Sequence, residues 1–503
     1  MKKNILIIIA GLLVFMSSCS GDFLNVNETN PNKASVVDPA LVLPAALNQI
    51  AATMNNPRRF EFVYLWHGLW SISSGYSQPQ VLTQYKLINS SYQNAFIEFY
   101  IAGKNLDVIE KQSTAAKDVY FKAIAKIMKA YIFQNLVDCW GDVPYTEAFK
   151  TDEGNLKPKY DKQQAIYEDL VVQLDAAIND ITSATGLVSV PSSSSDIIYA
   201  GDMVKWAKFA NTLKLRILVH QAYMTDRAAY ISEKLATTAS IGYLGAGESA
   251  LNNPPYVVSS GKMNPFYETF YNNAGTSQSD GITYYFAGKY VVDLLKATSD
   301  PRLGKFFKPY SGSNYAGNQF GLGQDELLPQ NQTSQLGYIK DDAGTMIGTP
   351  TKPAPILTDF ESLFLQAEAA QRGWAVGGDA KTLYERAVTR SCAYMGISAA
   401  AAAAYVSQFS AKANYDAAPD KIELILTQKY IALNAIAPVE IWTDYRRSGF
   451  PKDIVFSVDP ARANDTPPIR LLYPQDELNV NNDNVLAVGT INSFSSKIFW
   501  QKR

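Results

Sequence analysis

The stretch VYFKAIAKIMKAYIFQNLVDCWGDVPYTEAFK, residues 119–150, decides how the chain is built. Its first part is apolar at helical spacing, and the positions along one stripe are Phe121, Ile124, Met128, Tyr131 and Leu136. Gly141 comes next, and glycine often ends a helix because it adopts positive φ without strain. Val143 before Pro144 then favours an extended step. The pattern therefore predicts a long helix that stops at a sharp corner.

The corner also carries groups that catalysis uses. Asp138, Asp142 and Glu147 could act as general acids or bases, and Cys139 could act as a nucleophile. Catalysis, however, explains only the acids. A structural corner also explains the large rings at 140 and 145, which would pack under the turn, and the short acids, which accept backbone N–H bonds. We therefore interpret the stretch as structural.

Similar helical patterns occur on both sides of this stretch. The segments with apolar residues every three to four positions include 41–54, 95–112, 163–181, 201–224, 358–374, 380–396 and 420–435. Each would be an amphipathic helix that must bury one face, which favours stacked helix pairs. Between the two groups, residues 240–355 are rich in Gly, Asn, Ser, Pro and Tyr. Because disordered segments are poor in aromatic residues, we expect ordered loops there.

The N-terminus has the pattern of a bacterial export signal. Two lysines precede an apolar run from Ile5 to Met16, which is shorter than the ~20 residues of a membrane-spanning helix. The Ser17-Ser18-Cys19 junction resembles a lipobox, although Met16 stands where Leu is usual. We expect a signal peptide at 1–18, lipidation of Cys19, an Asn-rich arm over 19–40 and a folded body over 41–503.

Composition excludes several classes of function. The net charge is −2 without a basic cluster in the body, so nucleic acid is not an expected partner. With two histidines and no phosphate-binding, dinucleotide-binding or nucleophile-elbow motif, we predict no cofactor and no metal site. We interpret His67 and His220 as structural. Cys139 and Cys392 are more typical of buried thiols than of a disulfide.

Six ordered segments resemble the SusD/RagB family of nutrient-binding lipoproteins from Bacteroidetes outer membranes. They are LVDCWGDVPYTEA (136–148), IIYAGDMVKWAKFANTLKLRILVH (197–220), DPRL (300–303), PAPILTDFESLFLQAEAAQRGW (353–374), IWTDYRRSGFP (441–451) and IRLLYPQDELNVNNDN (469–484). The layout is most similar to the SusD-like branch. Ser448 replaces a common Thr, and Cys139 is not a usual feature of the family.

The resemblance implies a mainly all-α fold of tetratricopeptide-like helix pairs with a loop-rich ligand face. It also implies a non-enzymatic protein, displayed on the outer membrane through its lipid anchor. Such a protein would capture oligosaccharides and pass them to a SusC-like TonB-dependent barrel.

Sugar recognition needs flat rings for the CH faces of the ligand and polar groups for its hydroxyls. The candidate ligand-binding residues are Trp66, Trp70, Tyr76, Gln78, Tyr85, Asn264, Phe266 and Tyr267. The helical spacing of Trp66 and Trp70 fits core packing equally well. Tyr76, Gln78 and Tyr85 lie in the part of the chain that forms one edge of the pocket in the family.

Three other functions fit parts of the sequence. Related importers take peptides, so a peptide ligand is one alternative. A carboxylate-dependent glycosidase needs only two acids at a suitable separation, which 47 acidic residues supply by chance. A helical scaffold that binds only other proteins is the third.

Overall fold

The computed structural model describes residues 37–338 and 342–502, and these residues are mainly helical. We number the α-helices in chain order. They are α1 Pro39–Asn55, α2 Glu61–Trp66, α3 Gln80–Thr83, α4 Gln93–Gln112, α5 Val119–Trp140, α6 Gln163–Thr182, α7 Met203–His220, α8 Ala228–Ala236, α9 Pro265–Phe270, α10 Lys289–Ala297, α11 Leu303–Phe306, α12 Asp359–Gln371, α13 Ala380–Tyr394, α14 Ala399–Ser407, α15 Lys421–Ala432, α16 Pro438–Ser448, α17 Gln475–Val480 and α18 Asn482–Ala487.

The described strands are short and form three antiparallel pairs. They are β1 Trp70–Ile72, β2 Val143–Pro144, β3 Tyr160–Asp161, β4 Ala250–Asn252, β5 Tyr285–Ala287 and β6 Ala354–Leu357. β1 pairs with β5, β2 with β3 and β4 with β6. The β1–β5 register joins Trp70 to Ala287 and Ile72 to Tyr285, so it connects two parts of the chain that are far apart in sequence.

Consecutive helices pack against each other, which is the arrangement of helix pairs. α4, α5, α6 and α7 form one run in which each helix contacts the next, and α12 packs against both α13 and α15. Contacts between α7 and α12 join the two groups. The predicted mainly helical fold is confirmed. The predicted loop-rich segment 240–355 contains α9, α10, α11 and the strands β4 and β5, and its longest helix has nine residues.

Side-chain caps and chain breakers set the helix ends. Asp202, Thr358, Asp379 and Asp420 each accept a hydrogen bond from a backbone N–H in the first turn of the helix that follows. α16 begins at Pro438 and is ended by Gly449, the residue after Ser448, which has the left-handed conformation with φ 81°.

The corner after α5 is as predicted. The helix ends at Trp140, and Gly141 has φ 79° and ψ −121°, a conformation that only glycine adopts readily. The Trp140 ring is fully buried, and its indole N–H donates to the Leu472 carbonyl at 3.0 Å. Asp142 accepts from the backbone N–H of Gln163 at 3.0 Å and pairs with Lys162. Asp142 is therefore engaged in structural contacts.

The segment 469–474 closes over this corner. The backbone N–H of Leu471 donates to the Cys139 carbonyl at 2.8 Å, and the Tyr473 hydroxyl donates to the Asp142 carbonyl at 2.7 Å. Arg470 donates to the carbonyl of Trp140. The carbonyls at the end of α5, which a helix leaves without internal partners, are thus satisfied by a segment more than 300 residues later.

Buried ion pairs connect α7, α12, α15 and α16. They are Arg216–Glu361 at 2.9 Å, His220–Glu440 at 3.0 Å, Lys429–Glu440 at 2.5 Å, Lys429–Asp444 at 2.9 Å and Arg447–Glu368 at 2.6 Å. Charges removed from water must find such partners, because an unpaired buried charge is strongly destabilising. The network therefore fixes how the two helix groups meet.

The structure also shows the surroundings of the two cysteines and of His220, and the character of the helices. Cys139 and Cys392 are free and buried, and burial raises the pKa of both thiols. His220 lies in the ionic network, as expected of a structural histidine. None of the helices in the described ranges has both the length and the apolar character needed to cross a membrane.

Candidate functional site

The pairing of β1 with β5 brings the segment that carries Tyr76 next to the segment that carries Tyr284. The Ser73 N–H donates to the Tyr284 carbonyl at 2.9 Å just beyond the strands. The Tyr76 and Thr283 hydroxyl oxygens are 2.7 Å apart, and the rings of Tyr76 and Tyr284 meet edge to face with centroids 5.1 Å apart. Both tyrosines are half-buried.

Arg58 adds a cation to this surface. Its guanidinium carbon is 4.9 Å from the ring centroids of both Tyr284 and Tyr285, and it donates to the Asp280 carbonyl at 2.5 Å. Its side chain is 31% exposed. We call the surface formed by Arg58, Tyr76, Gln78, Thr283 and Tyr284 the Tyr76 face.

Glu61 lies beneath the Tyr76 face, close to its cation. One carboxylate oxygen accepts from the Tyr285 hydroxyl and is 3.8 Å from the Arg58 guanidinium. Burial raises the pKa of Glu61, although the Tyr285 hydrogen bond and Arg58 act against that shift. Burial, with Glu61 nearby, raises the pKa of Tyr284 to about 12, so its hydroxyl stays protonated and can donate a hydrogen bond.

Amide side chains hold the loop that carries Tyr76. Gln78 donates through Nε2 to the carbonyls of Tyr76 at 3.1 Å and Ser73 at 3.3 Å. Gln330 donates to the Ser73 hydroxyl at 2.6 Å, and Gln324 donates to the Ser74 carbonyl. The loop is therefore positioned before any ligand arrives, which lowers the entropy cost of binding.

The three other candidates from this region are buried in the core. The Trp66 ring meets Tyr85 edge to face at 5.5 Å, and its N–H donates to the Leu82 carbonyl at 3.2 Å. The Tyr85 hydroxyl accepts from the Ser457 N–H, and the Trp70 indole donates to Asn434. These side chains are buried and present no ring to solvent.

The candidates from the middle segment are also buried. Asn264 caps α9, because its Oδ1 accepts from the N–H groups of Phe266 and Tyr267 while its Nδ2 donates to the Lys352 carbonyl. Phe266 meets the Trp70 ring at 6.3 Å. Tyr267 packs against Tyr271 and Tyr338.

Asn264 and Phe266 line a small cavity. Its volume is about 20 Å³, which is enough for one water molecule and far too small for a sugar ring. Of the eight candidates, the structure therefore places Tyr76 and Gln78 where a ligand can reach them, and it places the other six in packing or capping positions.

Sequence reasoning did not select Arg58, Thr283 or Tyr284 as site residues. The Tyr284-Tyr285 pair offers a signal, because successive residues of an extended segment point to opposite sides, so one of the two rings can face outward. No local sequence pattern identifies β1 as the strand that pairs with β5. Cys19, the predicted lipidation site, lies outside the described residues.

Comparisons with known proteins identify the family. A family model described as "Starch-binding associating with outer membrane" matches residues 31–474. No curated protein matches the chain.

Several solved structures share the fold. A SusD homolog from Bacteroides fragilis superposes with a TM-score of 0.75 at 22% identity, over 93% of this chain and 100% of that chain. A SusD homolog from Bacteroides uniformis gives 0.73 at 21% identity, over 92% of this chain and 99% of that one. A chitin-binding SusD homolog from Flavobacterium johnsoniae gives 0.73 at 22% identity, over 91% of this chain and 98% of that one.

The family model covers the corner at Gly141, the strands that build the Tyr76 face and the buried network of α7, α12 and α16. The chain therefore belongs to the SusD-like family.

Proposed function

We propose that the protein is a non-catalytic lipoprotein of the outer-membrane surface that captures oligosaccharides and hands them to a SusC-like TonB-dependent barrel. The observation that carries this proposal is the Tyr76 face, where half-buried tyrosine rings stand beside a guanidinium, an amide and a hydroxyl. Rings of this kind cover the CH faces of a sugar, and the polar groups bond its hydroxyls.

Family membership and the relatives support the same ligand class. The family description names starch, and the Flavobacterium johnsoniae structure is of a chitin-binding protein. Both are neutral polysaccharides. The Tyr76 face has the mixture of aromatic rings and neutral hydrogen-bond donors that such ligands need.

The geometry favours binding without cleavage. A glycosidase needs two carboxyl groups on either side of the scissile bond. The carboxylates of Glu61 and Asp280 both lie near Tyr284. Glu61, beneath the face, is already occupied by the Tyr285 hydroxyl and by Arg58. A few ring contacts and exposed hydrogen bonds give affinities in roughly the micromolar to millimolar range after ordering costs. Such affinities suit capture followed by release to a transporter.

The test is a binding screen of the soluble body against glycan and peptide libraries, followed by calorimetry. We expect Tyr76→Ala to weaken binding of the selected glycan about tenfold or more, because a stacked ring contributes on the order of 1 kcal/mol or more. Phe409→Ala is the matched control, since Phe409 is a fully exposed aromatic residue on another part of the chain.

Other outcomes would change the assignment. Selection of peptides alone would assign the protein to a peptide importer. Hydrolysis of a bound glycan that is lost when one acid is replaced would assign it to the glycosidases. Equal affinity of Tyr76→Ala and the wild type would remove the Tyr76 face from the binding site.

A further inference from the structure

A cleft lies between α4, α5, α6 and the segment 145–150 that follows the corner. Its volume is about 310 Å³. At about 30 Å³ for each water-sized group, this volume holds roughly ten non-hydrogen atoms, which is the size of one amino acid. The cleft shares no described residue with the Tyr76 face. We call it the Lys150 cleft.

Most charges of the Lys150 cleft neutralise one another. Three lysines of its lining each form an ion pair with an acid. The pairs are Lys111–Asp107 at 3.0 Å, Lys126–Asp180 at 2.8 Å and Lys129–Glu110 at 3.0 Å. These pairs leave no net charge for a ligand to complement.

Lys150 and Asp169 differ from the other charged residues of the lining. Neither side chain forms an ion pair with any described residue, and both residues are half-buried rather than enclosed. Asp169 accepts from the Tyr145 hydroxyl at 2.5 Å and from Gln173 Nε2 at 3.3 Å, and both of these donors are neutral. A carboxylate has about four lone-pair sites, so Asp169 can accept from a further donor.

Glu147 is the acid that influences Lys150 from nearby, and it is engaged elsewhere. Its carboxylate accepts from Asn155 Nδ2 at 3.1 Å and from the Lys159 N–H at 3.0 Å. It also lies 3.9 Å from the Lys159 ammonium group. The cleft is therefore left with one ammonium group and one carboxylate that have no charged partner within the described ranges.

Tyr145 and Phe149 supply an apolar wall to the same cleft. Their ring centroids are 4.7 and 6.0 Å from that of the buried Phe133, which holds both rings in place. Both residues are half-buried, so part of each ring remains accessible. An apolar side chain that packs on these rings is removed from water, which favours binding.

We propose that the Lys150 cleft binds a free α-amino acid with an apolar side chain. The ammonium group of the ligand would face Asp169, its carboxylate would face Lys150, and its side chain would pack on Tyr145 and Phe149. A zwitterion complements both charges at once, whereas an anion complements one of them and a neutral sugar complements neither. The proposal adds a second ligand class to the glycan proposed for the Tyr76 face.

The test is calorimetry of the purified protein with L-leucine as the probe. N-acetyl-L-leucine lacks the ammonium charge, and L-leucinamide lacks the carboxylate. We expect each of them to bind about tenfold or more weakly than L-leucine, since each loses one hydrogen-bonded charge. The affinity for L-leucine should fall with added salt.

Two variants identify the groups that meet. Asp169→Asn keeps an oxygen that accepts from Tyr145 but removes the charge, and Lys150→Met removes the ammonium group. Each should weaken L-leucine binding about tenfold. Folded Asp169→Asn should no longer distinguish L-leucine from N-acetyl-L-leucine, and Lys150→Met should no longer distinguish it from L-leucinamide, because coupled changes in protein and ligand reveal a direct contact.

Asp226→Asn and Lys262→Met are the matched controls, because both positions are exposed and lie outside the cleft. Thermal melting establishes that each variant is folded, and the comparison of the three compounds needs no variant. The proposal is overturned if L-leucine does not bind, if the three compounds bind equally, or if folded Asp169→Asn and Lys150→Met bind L-leucine as the wild type does. These results leave the glycan proposal untouched, because that is tested at the Tyr76 face.

Discussion

Gly141 shows how one residue determines a corner. Its backbone has φ 79° and ψ −121°, and a Cβ atom there would lie 3.1 Å from the Arg470 guanidinium. A side chain at this position therefore meets both backbone strain and a close neighbour. The backbone effect was foreseeable, because a Gly after a long apolar helix and before Val-Pro is typical of a helix end. The contact with Arg470 was not.

We expect Gly141→Ala to lower the free energy of unfolding by about 1–3 kcal/mol, the usual cost of a residue held in a sparsely populated backbone region. Gly154→Ala is the matched control. Gly154 also has positive φ, but it lies in the left-handed region with ψ 2°, and nothing is within 4 Å of its added Cβ. Urea unfolding of both variants measures the difference. If Gly141→Ala lowered the free energy of unfolding by no more than Gly154→Ala does, the proposed role of Gly141 would be contradicted.

His220 makes the stability of the fold depend on pH. Burial alone would lower its pKa, but the carboxylates of Glu440 and Asp138 outweigh burial and raise it above the usual 6.5. Tyr167, Lys429 and Arg216 surround the same carboxylates. A raised folded-state pKa means that the proton on His220 stabilises the fold fully below about pH 6.5, and that this contribution disappears as pH rises through the folded-state pKa.

We therefore expect the stability advantage of the wild type over His220→Gln to be largest in mild acid and to shrink as pH rises. Urea unfolding of both proteins over a pH series from about 5 to 9 measures this difference. Parallel pH profiles would show that His220 does not change its protonation on folding.

Only some of the predicted site residues lie at the surface, for a physical reason. Spacing assigned Trp66 and Trp70 to one side of a helix, but spacing does not show what covers that side. In the structure Trp70 begins β1, and core rings cover it, with Tyr64 stacked at 4.1 Å. Tyr76 follows Ser-Ser-Gly, a local signal for a surface loop, and it is the aromatic candidate that reaches the surface.

At the scale of elements, α5 and its corner act as an anchor for distant segments. Trp140 donates to Leu472, Arg446 donates to the Asp138 carbonyl at 2.7 Å, and Arg470 donates to the Trp140 carbonyl. Sequence analysis identified the segments 136–148, 441–451 and 469–484 separately. It did not predict that they meet, because no local pattern encodes contacts across 300 residues.

We expect Trp140→Ala to lower the free energy of unfolding by about 3–5 kcal/mol, since it leaves a large cavity and removes a hydrogen bond between α5 and the closing segment. Urea unfolding gives the value, and Phe409→Ala should change it little because that ring is fully exposed. A loss of less than about 1 kcal/mol for Trp140→Ala would show that the corner repacks around the missing ring.

The helices could be predicted from the sequence, whereas the strands could not. The long helices α4 to α7 carry apolar stripes, and Gly141 after α5 and the Asp202 cap of α7 are further local signals. β1 and β5 have three residues each and are more than 200 residues apart. Strands this short have no distinctive period, so the Tyr76 face that they build became visible only in three dimensions.

At the scale of the whole molecule, the buried network determines how the helix groups meet. Arg447 bridges Glu368 on α12 and Asp444 on α16, and all three side chains are buried. Pairs of this kind contribute little net stability, but loss of one partner leaves a buried charge. The network therefore favours one arrangement of the helices over others.

Attachment to a membrane, which we propose occurs through Cys19, would also be a property of the whole chain. We expect Cys19→Ala to abolish labelling by a fatty acid and to move the protein from the membrane fraction to the soluble fraction, since a multiply acylated cysteine anchors a protein stably. Metabolic labelling and fractionation measure both effects. Unchanged membrane association of Cys19→Ala would indicate another anchor.

The bond from the Trp500 indole to the Asp138 carboxylate, at 3.1 Å, spans 362 residues. A ribosome that has just released α5 has still to synthesise most of the partners of that helix. We therefore expect the nascent chain to stay loosely collapsed until late in translation. A chain in that state would suit the export that the predicted signal peptide at 1–18 implies, because a loosely collapsed chain can be threaded through a secretion channel.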